Sequence, residues 1–165
     1  LLYGMSAFGL ANQLSVSRQE AEIFLENYFT KYSRVKEFMG EIVEKAKKDK
    51  FVSTIYGRKI HVPNIESPNY MIRQASERAA INGPLQGTAA DIIKVAMVNL
   101  ERFFKKNDFE INSILQVHDE LVFEVPEGLN QHDLKEVIDL MENSTTIDVP
   151  LKVELGFGSN WREAH

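Results

Sequence analysis

Ile111 to Val117 and Leu121 to Val125 are two apolar-rich runs of strand length, separated only by the polar triplet His118-Asp119-Glu120. So short a break turns the second strand back along the first, and the pair reads as an antiparallel hairpin with the triplet at or near its turn. The flanks then belong to a buried sheet, and the tip carries two adjacent carboxylates. A carboxylate at a strand tip is a rigid oxygen ligand of the kind Mg²⁺ takes, one or two at a time, beside substrate phosphates. The same aspartate equally suits a plain turn, where its side chain bonds nearby backbone. Strand alternation points Asp119 and Glu120 in different directions, so they need not share one ligand sphere.

Helical periodicity dominates what comes before. Ser17-Arg18-Gln19-Glu20 is a capping box, and Ala21, Phe24, Leu25, Tyr28 and Phe29 follow it at helical spacing. A second helix starts near Ser33, with Val35, Phe38, Met39, Ile42, Val43 and Ala46 on one face and Lys45, Lys47, Lys48 and Lys50 at its carboxyl end. Phe51 to Tyr56 and Lys59 to Val62, joined by Gly57-Arg58, form a small hairpin, and Pro63 to Asn69 is loop. The pattern predicts a helix over 70–81, stopped by Gly83-Pro84, and a separate longer one over 88–106. After the carboxylate hairpin come a helix over 132–143 and a third strand over 149–157. Helices leading into a short antiparallel sheet backed by a helix make an α+β chain.

Arg78 and Asn82 stand four apart on one helix face, and Gln86 lies just beyond the expected break. An arginine and two amides placed so could donate to the groove edges and sugars of a nucleic-acid duplex, or could tie two helices together. The run from Gln86 to Asp91 has the look of a helix start, whose free N–H groups suit anions. It lacks the glycine pattern of a phosphate loop. His61, His132 and His165 have no metal-ligand spacing, and no serine or cysteine nucleophile motif is present.

Net charge is −5, which taken whole argues against a polyanionic partner. Its distribution does not. Residues 1–107 hold 16 Lys/Arg against 11 Asp/Glu, a balance of +5, and residues 108–165 hold 3 against 13, a balance of −10. A phosphate-binding first part is permitted by that split. With no cysteine, disulfides and thiolate metal sites are excluded. No apolar run reaches the roughly 18 residues of a membrane span. The chain opens on Leu1 in mid-pattern with no cap signal, leader or start methionine, and it reads as a cytoplasmic piece of something longer.

Four segments in order resemble family A DNA polymerases, the DNA polymerase I type. Residues 3–10, Tyr-Gly-Met-Ser-Ala-Phe-Gly-Leu, are similar to the end of that family's motif B. Residues 77–91, Glu77-Arg78 through Ala90-Asp91, resemble the segment that holds the primer–template. Val117-His118-Asp119-Glu120 resembles motif C, and Gly158-Ser159-Asn160-Trp161 the family's C-terminal close.

By that resemblance Asp119 is the palm carboxylate that ligates Mg²⁺, Glu120 its less essential catalytic neighbour, and His118 lies near the primer terminus. Arg78, Asn82 and Gln86 contact the duplex, mostly through the minor groove; Tyr3 stacks near the templating base, and Ser6 and Phe8 lie along the template. Residues 1–62 become distal fingers helices with a small hairpin. Residues 63–165 become the part of the palm with primer–template helices and the motif C hairpin. The implied activity is template-dependent DNA synthesis from deoxynucleoside triphosphates with two Mg²⁺ ions, serving replication and repair, in a monomeric, cytoplasmic, nucleoid-associated bacterial parent. The motif A aspartate and the basic residues that open motif B are absent from these 165 residues, so the chain alone is expected to be inactive. The competing expectation is a non-catalytic DNA-binding module whose carboxylates only shape a turn. A metal-dependent nuclease would want more than one carboxylate pair.

Overall fold

The computed structural model describes residues 5–128 and 131–164, with backbone alone at 131–133. Tyr3, Gly4 and His165 lie outside those residues. The chain divides into two compact units, Leu1–Thr88 and Ala89–His165, and is α+β throughout.

In the first unit, helix α1 (Ala7–Leu14) begins at Ser6, whose hydroxyl accepts from the Gly9 N–H at 3.2 Å. Helix α2 (Arg18–Lys31) starts on the expected capping box. The Glu20 N–H donates to the Ser17 hydroxyl at 3.2 Å, and the Ser17 N–H donates to the Glu20 carboxylate at 2.9 Å. Ala21 is fully buried against Leu10 and Ala11, with Leu25 alongside. Phe24, also on the expected stripe, stays half exposed. Helix α3 (Ser33–Asp49) carries Ile42 and Ala46 into a core with Val52, Val62, Ile65 and Ala80. Lys47 pairs with Glu44 and Lys50 with Glu66.

Strands β1 (Phe51–Ser53) and β2 (Lys59–His61) pair antiparallel, Val52 opposite Ile60. Gly57 turns the chain at φ +80°, where a side chain would be strained. Alternation puts Val52 and Ile60 inward and leaves Lys59 and His61 exposed.

The helix expected to end before Gly83-Pro84 does not end there. A single helix, α4, runs over Tyr70–Lys106 with Pro84 inside it. Asn69 caps it, its side-chain oxygen accepting from the N–H groups of Met71 and Ile72 at 3.0 and 3.3 Å. Proline removes one N–H and crowds the preceding turn, a cost of about 3 kcal/mol in a helix interior. Packing overrides that local preference. A Cβ on Gly83 would stand 3.3 Å from both Val52 and Ile60, and one on Gly87 only 2.7 Å from Thr54. The glycines bring the helix backbone down onto the β1–β2 hairpin; they are seats, not stops. The run from Gln86 to Asp91 is accordingly mid-helix, and the free N–H groups expected there are engaged in the helix ladder.

In the second unit, the last turns of α4 supply Leu100 and Phe104 to a core with Val137, flanked by Phe103, Phe109, Ile111, Leu121, Phe123, Leu140 and Met141. Strands β3 (Asn112–Val117) and β4 (Glu120–Glu124) form the expected hairpin, with a register shift between Ser113 and Leu115. The expected burial of both flanks does not hold: β4 is half-buried, whereas β3 is exposed from Asn112 to Gln116. The Phe104 and Phe123 rings meet edge to face at 5.6 Å. Helix α5 (Gln131–Glu142) follows, and a short α6 (Trp161–Ala164) closes the chain.

The third strand over 149–157 is not formed among the described residues. Its alternation survives in a segment without regular structure, in which Leu151 and Val153 are half-buried between exposed neighbours. Two features account for the missing ladder. Pro150 has no N–H to give, and the Val153 N–H donates to the Glu142 carboxylate at 3.1 Å instead of to a strand. No helix among the described residues is long and apolar enough to cross a membrane.

Candidate functional site

Because α4 is continuous, Arg78, Asn82 and Gln86 are successive steps of four along one helix. At about 1.5 Å per residue they span about 12 Å, drifting gradually around the axis. Arg78 and Gln86 are exposed and Asn82 is half-buried. The Asn82 side-chain oxygen is buried without any hydrogen-bond partner. An orphan of that kind costs about 1–3 kcal/mol, so it asks for a reason, and a ligand group is one. Gln74, which the sequence argument did not single out, continues the series by one step. Its carbonyl accepts from the Arg78 guanidinium at 3.5 Å, and its amide donates to the Tyr70 hydroxyl at 2.7 Å. The signal was the same four-residue interval, read one turn earlier.

At the start of the described chain, the Ser6 hydroxyl is committed to capping α1. Phe8 is 67% exposed, an aromatic ring offered to solvent on a helix that otherwise buries Leu10 and Ala11. Tyr3, grouped with them by sequence, falls outside the described residues.

In the second unit the carboxylates stand at the tip of the β3–β4 hairpin. Val117 and Glu120 are the last pair of the ladder, so the turn is His118 and Asp119 alone. His118 takes φ +52°, a region that side-chain-bearing residues seldom adopt and that costs roughly 1–2 kcal/mol. The Gln116 side chain steadies the turn by donating to the His118 carbonyl at 2.7 Å. Asp119 is exposed, whereas Glu120 has entered the strand and is half-buried. Strand alternation therefore does not separate the two, since Asp119 is in the turn and not in the ladder. Both border one groove of this unit, which runs along β4, α5 and residues 152–157.

No three histidine, aspartate or glutamate side chains converge on one point among the described residues. The donor set at the tip is one exposed hard oxygen ligand with a second beside it. That fits a share of a Mg²⁺ shell completed by water and phosphate oxygens. It does not fit two complete shells.

The sequence matches the family profile described as DNA polymerase family A over residues 1–163. It is 48% identical to DNA polymerase I of Pseudomonas aeruginosa over 165 residues, which is all of this chain and 18% of that protein. Against DNA polymerase I of Mycobacterium leprae it is 44% identical over 164 residues, 99% of this chain and 18% of that one. Among solved structures, the POL domain of Pol1 from M. smegmatis, in complex with DNA primer-template and dNTP, superposes with a TM-score of 0.94 at 45% identity. That match covers 99% of this chain and 29% of the other. The chain thus spans less than a fifth of the length of these curated relatives.

Proposed function

The chain belongs to DNA polymerase family A, and from that we propose that it forms the distal fingers (residues 1–62) and most of the palm (residues 63–165) of a DNA-directed DNA polymerase. The observation that carries the reading is the hairpin tip, where a two-residue turn with a left-handed His118 holds Asp119 out at the end of the β3–β4 ladder. Backbone strain persists where surrounding structure enforces it, and such places cluster at functional sites.

The proposed substrates are primer–template DNA and deoxynucleoside triphosphates. Asp119 holds one oxygen position of a Mg²⁺ site, and Glu120 stands beside it as a secondary carboxylate. Bound Mg²⁺ supplies Lewis-acid chemistry, favouring ionisation of the primer 3′-hydroxyl and neutralising charge on the transferring phosphate. The rest of the work is positioning. Arg78, Asn82 and Gln86 donate to the minor-groove acceptors that all correct pairs share, which checks the shape of a pair without reading its sequence. Asn82 donates through its amide N–H; its buried oxygen, unpartnered in the free chain, is an acceptor and takes a partner only where the bound duplex presents a donor, such as a guanine amino group. His118 faces the primer terminus, Ser6 and Phe8 line the template, and Tyr3 stacks at the templating base. The setting is replication and repair in the bacterial cytoplasm, close to the nucleoid, by a monomer.

The deciding experiment is Asp119→Ala in a polymerase-length protein carrying this sequence. Single-turnover incorporation should fall by a factor of roughly 10² or more, the equivalent of about 3 kcal/mol of transition-state stabilisation, while the primer–template Kd stays within about threefold. Incorporation near the unsubstituted rate would remove the metal role. It would leave standing a DNA-binding segment in which the carboxylates serve the turn.

A further inference from the structure

The continuity of α4 through Pro84 has a second consequence. Gly83 and Gly87 bracket the proline and lie four residues apart, on a face that also carries the buried Ala80. Against that face sits the β1–β2 hairpin. Val52 is fully buried, Thr54 nearly so, and the Ile55 N–H donates to the Thr88 hydroxyl at 3.2 Å. The contact is closest at Gly87, where an added Cβ would stand 2.7 Å from the Thr54 methyl carbon and 3.0 Å from Ile60 Cδ1. Ordinary carbon contacts sit near 3.5–4.0 Å, so a Cβ here requires the Thr54 and Ile60 side chains, or the hairpin that carries them, to give way by about 1 Å.

We infer that the hairpin is a splint. It holds α4 rigid across the hydrogen bond that Pro84 deletes and thereby fixes the line of Arg78, Asn82 and Gln86, with Gly87 and Thr54 as its positioning residues. The inference rests on the reading that this line meets primer–template DNA. Arg78 and Asn82 stand before the proline and Gln86 after it, so a helix free to bend at Pro84 would present two groups in one direction and the third in another. A duplex groove is a rigid partner, and the three donors serve it together only if the helix between them does not bend. The proline remains tolerable because the hairpin, not the helix ladder, supplies stiffness at that point.

The test is Gly87→Ala in a polymerase-length protein carrying this sequence, with primer–template Kd, incorporation rate at saturating DNA, and melting temperature measured together. Kd should rise about tenfold, one lost groove contact's worth, with the saturated rate within about threefold. Thr54→Ser added to Gly87→Ala deletes the obstructing methyl but keeps the hydroxyl that accepts from the Arg58 N–H, and it should bring Kd back to within about threefold of the start. In an Arg78→Ala/Asn82→Ala background, Gly87→Ala should add little, because Gln86 alone remains and has no donors before the proline to be misaligned from. Should Gly87→Ala not fold, Gly83→Ala gives the milder version. Its Cβ meets Ile60 and Val52 at 3.3 Å, and a smaller weakening of Kd is expected.

An unchanged Kd in the folded variants overturns the splint, as does failure of Thr54→Ser to rescue or a full effect in the double-alanine background. An unsubstituted protein that does not bind primer–template overturns the underlying reading, and the splint with it.

Discussion

Asn82 and His118 each carry a cost in the free chain. Asn82 buries an acceptor with no partner, and replacing it with a leucine of similar size removes that burden. We expect Asn82→Leu to leave the melting temperature unchanged or raise it, by up to about 1 kcal/mol of stability, while primer–template Kd weakens by roughly tenfold. A variant that loses both stability and binding would make Asn82 a packing residue. At His118 the left-handed φ is tolerated by asparagine and punishes β-branching. His118→Val should therefore cost about 1–2 kcal/mol in thermal unfolding, and His118→Asn close to nothing. At this scale the sequence was partly legible. The two apolar runs placed Asp119 and Glu120 at a hairpin tip, as found; a metal role for them came from the family resemblance and not from the local pattern. That Asn82 is buried, or that Gln74 holds Arg78, depends on side-chain environment, which no local pattern encodes.

Secondary-structure elements followed the sequence wherever their determinants were local. Ser17 and Glu20 wrote the start of α2, and apolar runs separated by short turns wrote both hairpins. The two misreadings share a cause: each depended on a distant segment. Gly83-Pro84 reads as a stop until the hairpin beneath it is known, and residues 149–157 read as a strand although no ladder partner is paired with them. The capping box supplies a pH test. The Ser17 hydroxyl, and then its N–H, hold the Glu20 carboxyl below its ordinary value of 4.5. A carboxyl whose folded pKa is depressed stabilises the fold above its unfolded pKa, and that contribution is lost as pH falls through the folded value. The melting-temperature gap between the unsubstituted chain and Glu20→Ala should be full at neutral pH and should shrink as pH drops below about 4. A gap that persists unchanged at low pH would mean the cap acts without the charge.

For the molecule as a whole, the charge split and the family length matter most. Each unit leaves large apolar side chains in solvent, Phe8 and Met71 in the first and Ile114 and Val149 in the second, at 61–70% exposure. Exposed apolar surface favours association, so the 165-residue chain should show concentration-dependent self-association in sedimentation; a clean monomer at all concentrations would contradict that. The same chain, offering one carboxylate pair, should give no template-dependent primer extension. The most direct measurement is a Mn²⁺ titration, followed by electron paramagnetic resonance, of a polymerase-length protein carrying this sequence, with primer–template and an unreactive triphosphate bound. Asp119 as a ligand predicts that Asp119→Ala loses at least one tightly held ion while the DNA stays bound. Equal occupancy in both proteins, with incorporation intact, would contradict the account.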